Sequence, residues 1–127
     1  MNNYCVPFAL GKMSGKSPDE IAALVRVERG RPGRVTGVAN YVWEALIAKL
    51  GFKINVRVTR PGMTVRKWAA NRAKWGDKST WLVRVSGHLM FYCDNVLYDN
   101  HTPAGTKPDL HKYGNSRLKS ALQVIPA

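Results

Sequence analysis

A thiolate attacks a carbonyl carbon, and two residues of this chain can supply one, Cys5 and Cys93. Cys5 stands in NNYCVPFAL, directly ahead of an apolar run. In VPFALGKM, Pro7 is tolerated in a first helical turn, and Phe8, Ala9 and Leu10 would bury against a neighbouring helix. Cys5 would then sit at the N-terminus of a short helix, where unpaired N–H groups and the positive end of the dipole favour thiolate over thiol near neutral pH. The competing reading is a small core residue, buried beside apolar neighbours.

A thiol nucleophile needs a base, and the base needs an orienting group. The histidines are His88, His101 and His111, and of these only His88 opens a strand-like segment, in SGHLMFYC. Gly87 just before it would leave room for a neighbouring element to approach. A strand histidine can equally be a satisfied structural residue, but the hairpin ties this one to a carboxylate. If Asp94 and Asn95 form a two-residue loop, Cys93 faces Val96, Tyr92 faces Leu97, Met90 faces Asp99 and His88 faces His101. His88 and Asp99 are then diagonal neighbours on one face, about 7–8 Å apart at the backbone. A three-residue loop would instead set Asn100 opposite His88 and turn Asp99 to the other side.

The elements that must hold these groups follow from period and punctuation. SPDEIAALVR carries a capping box at Ser17 and Glu20, with Pro18 at the first helical position and Ile21, Leu24 and Val25 on one face. TGVANYVWEALIAKLGF, with Val38, Val42, Ala45 and Leu46 at helical spacing and Gly51 as its stop, predicts the longest helix, lying in the core. TVRKWAANRAKWG predicts another, with Val65, Trp68 and Ala69 sharing a face and its aromatic residues read as core in preference to a base-stacking box. Strands are expected at 53–59, 80–85, 88–93 and 96–99, and the tail RLKSALQVI fits either a last strand or a short helix, with the strand preferred. Helices first and strands later predict an α+β fold, with N-terminal helices packed against a C-terminal antiparallel sheet.

The chain has 127 residues, near the size of one domain, so a single domain over 1–127 is expected. Neither a signal peptide nor a membrane span is indicated. The two cysteines, far apart in the chain, read as reduced thiols of a cytoplasmic protein. Twenty Lys and Arg against eight Asp and Glu give a formal +12, which favours an acidic partner, either nucleic acid or a negatively charged protein. No close Cys or His pair suggests a metal, and no cofactor is expected.

A cysteine opening an N-terminal helix in NNYC, a helical half, a late Gly-His opening a strand in SGHLMFY, and Asp or Asn ending the next strand in VLYDN together resemble the papain-like cysteine peptidase superfamily. The likeness is closest to its compact bacterial and bacteriophage members. The resemblance implies Cys5 as nucleophile, His88 as general base and acid, Asp99 as the group orienting the imidazole, and Asn100 as the alternative third member. It also implies an amide shortly before the cysteine that joins in holding the oxyanion, for which Asn3 is the best match and Asn2 the reserve. Family members usually carry Gln there at wider spacing, and many have Gly or Ala where this chain has Val6 and Pro7. The implied activity is cysteine-dependent hydrolysis of a protein or peptide, as peptidase, amidase or isopeptidase, on a host protein in the host cytoplasm if the chain is phage-encoded. Two other functions compete: an inert peptidase-like protein that binds a host partner, and a nucleic-acid-binding module using Trp68, Trp75 and Trp81 as stacking platforms among basic residues.

Overall fold

A computed structural model of the chain describes residues 4–59 and 62–127. Its elements run α1 (Cys5–Ser14), α2 (Pro18–Arg29), α3 (Asn40–Lys49), β1 (Phe52–Val58), α4 (Val65–Lys74), β2 (Thr80–Val85), β3 (His88–Cys93), β4 (Val96–Tyr98) and β5 (Ser120–Pro126). The five strands form one antiparallel sheet in the order β1-β5-β2-β3-β4, so the fold is the expected mixture of helix and antiparallel sheet.

Local signals set most of these boundaries. Ser17 Oγ accepts from the Glu20 N–H and the Glu20 carboxylate accepts from the Ser17 N–H, closing the capping box that starts α2. Asp94 and Asn95 both adopt positive φ, 49° and 63°, the geometry of a two-residue hairpin turn whose twist suits the flanking strands. The register is accordingly Cys93 with Val96, Tyr92 with Leu97 and Phe91 with Tyr98. The tail forms β5, a strand inside the sheet between β1 and β2.

Three expectations need correction. The third helix is not the longest: it spans 10 residues against 12 in α2, because Gly37 at φ 57° and the extended Ala39 keep residues 36–39 out of it. The helices lie on both sides of the sheet, a point on which the sequence is silent. Along β2 and β3, Leu82, Leu89 and Phe91 pack with α1, α2 and α3, whereas Trp81, Val83, Val85, Met90 and Tyr92 pack with Val65, Trp68 and Ala69 of α4. Side chains alternate across a strand, so the two sets are the two faces of one sheet and α4 covers the second. Trp68 and Trp81, only 3% and 2% exposed, are core residues and cannot stack on bases; Trp68 meets Trp81 and Tyr92 edge-on at 5.2 and 5.0 Å, and Trp75 alone of the three is open, at 76%. Finally, Gly87 does not make room for a neighbour. It supplies φ 71° in the two-residue turn Ser86-Gly87, which sets Val85 opposite His88.

Among the described residues, no helix is long and apolar enough to cross a membrane.

Candidate active site

Cys5 is the first residue of α1, after Tyr4 at the cap. Its apolar successors Val6, Ala9, Leu10 and Met13 bury against α2 and the first sheet face, which fixes the helix and aims its N-terminus at the start of β3. The sulfur is met by N–H groups of Leu89, Val6 and Cys5 itself. A cavity of about 240 Å³ opens here, and Cys5, His88 and Leu89 all contribute to its wall, with Val6, Val38, Asn40, Trp43 and Arg84. The structure therefore brings the expected nucleophile and the expected base to one cavity.

His88 is buried, with Nε2 2.6 Å from Asp99 Oδ2. A carboxylate at that distance accepts a hydrogen bond from Nε2–H, so Nδ1 is the basic nitrogen of the neutral ring. Asp99 is fully buried and divides its two oxygens between two tasks. Oδ1 accepts from the N–H of His101 at 3.1 Å, from the N–H of Thr102 at 2.8 Å and from Thr102 Oγ1 at 2.6 Å, which folds the chain after β4 back on itself. Oδ2 faces the two histidines, His88 and His111, the latter with Nε2 at 3.3 Å. Burial pushes the Asp99 carboxyl up, but hydrogen bonds from His111, His88 and Thr102 outweigh it and hold the group well below the usual carboxylate range. Of the two expected partners, Asp99 is seen hydrogen-bonded to the His88 ring, and Asn100 lies half-buried beside it. Asn3 and Asn2, expected at the oxyanion, lie outside the described residues.

Sequence reasoning missed three residues that support this pair. His111 accepts the Tyr113 N–H at Nδ1, 2.9 Å, so its proton resides on Nε2, where Asp99 and Thr102 Oγ1 at 3.2 Å surround it. Tyr113 lays its ring on that of His88, centroids 4.2 Å apart and planes 23° from parallel, while the His101 ring lies 5.9 Å away. Thr102 was findable, because an Asp followed by a hydroxyl residue three positions on is a common side-chain-to-backbone turn. His111 and Tyr113 carried no such signal; they come from an irregular segment between β4 and β5.

Cys5 differs from expectation in one respect. Burial pushes its thiol up, the N–H groups of Leu89, Val6 and Cys5 pull it partly back, and the negative charge of Asp99 adds to the rise. The helix tip is present, but it does not make a free thiolate by itself. Cys93 is pushed up by burial and by Asp94 and Asp77, with only Lys78 opposing.

Among the described residues, no group of His, Cys, Asp and Glu is arranged to hold a metal ion. Comparisons of the chain with protein-family models, with curated proteins and with solved structures returned no match.

Proposed function

We propose that this protein is a cysteine-dependent hydrolase of papain-like arrangement, in which Cys5 attacks an amide, thioester or isopeptide carbonyl with His88 as base and Asp99 as the group that orients the ring. One observation carries the reading: the Asp99-held imidazole of His88 and the helix-tip sulfur of Cys5 share the wall of a single cavity.

The raised thiol sets the order of events. At neutral pH the sulfur rests protonated, so His88 Nδ1 takes its proton as the sulfur adds to the carbonyl carbon. The N–H of Cys5 and the helix tip stabilise the oxygen as it gains charge, a role that the family resemblance extends to Asn3. The His88 imidazolium then donates its proton to the leaving amine as the carbon–nitrogen bond breaks, leaving a thioester on Cys5. Water, deprotonated by His88, attacks the thioester; the acid is released and the proton returns to the sulfur. Asp99 stays ionised throughout, because its carboxyl lies far below the pH of the reaction.

The test is selective alkylation. At pH 7, iodoacetamide is expected to modify Cys5 faster than Cys93, since only Cys5 shares a cavity with an imidazole and has three N–H groups about its sulfur, whereas Cys93 faces two carboxylates. Peptide mapping by mass spectrometry reads the two rates. Equal rates, or faster loss of Cys93, would remove the nucleophile from this proposal. Preferential labelling of Cys5 with no hydrolysis across a denatured-protein and peptide panel would favour an inert binding protein.

A further inference from the structure

Among the described residues, the wall of the Cys5 cavity contains one Lys or Arg, Arg84. Its position follows from register. Arg84 lies on β2 between Val83 and Val85, both on the second sheet face, so its side chain projects to the first face, where α1 and α3 pack. It sits directly opposite Ser120 on β5, and its Nε donates to Ser120 Oγ at 3.4 Å. Among the described residues the ion pairs use Lys49, Arg57, Arg72 and Lys78 as their Lys and Arg members, and no carboxylate neutralises Arg84. A half-buried guanidinium without a counter-ion, in the wall of a cavity, is a costly feature for stability alone and a suitable one for a ligand.

The rest of the lining narrows that ligand. Val6, Val38 and Trp43 offer apolar surface, so the cavity suits an aliphatic stem ending in an anion. A planar carboxylate matches the guanidinium fork. A second hollow, lined by Arg29, Arg31 and Tyr41, adjoins the first through Gly37 and Val38. In it Arg29 spends its guanidinium on the carbonyls of Pro32, Gly33 and Arg34, whereas Arg31 is exposed, so the positive surface continues outward from the cavity.

We propose that the substrate carries a carboxylate within one residue of the reacting carbonyl, and that Arg84 is the specificity-determining residue that holds it. The inference rests on the hydrolase reading above. The carboxylate comes either from an acidic side chain on the acyl side of the scissile bond or from a free C-terminus on the leaving side.

The experiment measures alkylation of Cys5 by a matched pair of peptidyl acyloxymethyl ketones that differ only in Glu or Gln at the residue bearing the ketone. Iodoacetamide, small and neutral, serves as the internal reference. In the wild-type protein the Glu probe is expected to react roughly 10- to 100-fold faster than the Gln probe, the range of a charge-assisted hydrogen bond. With each probe rate taken relative to the iodoacetamide rate of the same variant, Arg84→Gln should erase that ratio and Arg84→Lys should keep part of it. The C-terminal source is scored by protection: a short N-acetyl peptide acid should slow iodoacetamide at Cys5 more than its carboxamide. Either arm succeeding identifies the source. If Cys5 is labelled preferentially by iodoacetamide but neither arm distinguishes charge, the carboxylate inference falls and the hydrolase reading stands. If iodoacetamide shows no preference for Cys5, both fall together. Circular dichroism melts of the two variants confirm that a lost ratio reflects a folded protein.

Discussion

Cys5→Ala is expected to lower the proposed hydrolysis by about a thousandfold or more, and removing the His88 imidazole to do nearly the same, because each takes away a group on which every step of that mechanism depends. The two substitutions are expected to differ in stability. Cys5 is half-buried at a helix end and alanine suits a helix, so Cys5→Ala should melt close to the wild type. His88 is buried and occupies Asp99 Oδ2, so His88→Ala leaves a buried carboxylate short of a donor, at a cost of about 1–3 kcal/mol. His88→Gln restores an amide donor and separates loss of the base from loss of the fold. The pH dependence of Cys5 alkylation gives the sharper test. Since burial raises the thiol, the wild-type rate should keep climbing above neutrality, and without the imidazole the climb should move to higher pH still. Identical profiles with and without His88 would show that the two groups are not partners.

Asp99→Ala should be the most destabilising single change at the site, by about 3–5 kcal/mol, since it strands donors on His88, His111 and Thr102 inside the protein. Its effect on rate should be smaller than that of Cys5→Ala, because an orienting group acts through the base. The sign of the pH effect follows from the direction of the shift. A carboxyl held below its unfolded value of about 3.9 contributes stability that is complete above that value and is lost as pH falls toward the folded one. Urea melts of the wild type should therefore weaken progressively below about pH 4. Asp99→Asn keeps an acceptor for the loop N–H groups but has nothing to titrate, so part of that acid slope should disappear. An unchanged slope in Asp99→Asn would assign acid sensitivity to other carboxyls and remove Asp99 as the buried anion of the fold.

The hairpin was legible because its information is local. Asp94 and Asn95 tolerate positive φ, two residues close the turn, and the alternation of β3 and β4 then fixes which side chains share a face. The capping box of α2 was readable for the same reason, whereas the tail, which the pattern left between strand and helix, is fixed as a strand by its place between β1 and β2. What was hidden depends on packing between distant segments. The apolar face of α4 was visible, but nothing in its period says which side of the sheet it covers. His111 and Tyr113 reach the site through an irregular stretch after β4, which has no hydrophobic period to follow. Arg84 looked like one basic residue among twenty until its strand partner Ser120 and the neighbouring helices defined a cavity around it. At Cys5 the helix tip could be read and the degree of burial could not, which is why the direction of the thiol shift was misjudged.

Cys5 belongs to the packing of α1 on the first sheet face, whereas His88 shares the strand side of Met90 and Tyr92 and carries the Tyr113 ring on the second. The proposed reacting pair thus spans a seam between two packed layers, joined where β3 begins. A displacement on the order of 1 Å between reacting groups can cost a hundredfold in rate while leaving a fold's free energy almost untouched. Catalytic alignment in such a molecule is a property of how the layers are seated, so a substitution as remote as Trp68 or Leu10 can detune the chemistry without touching either reactant.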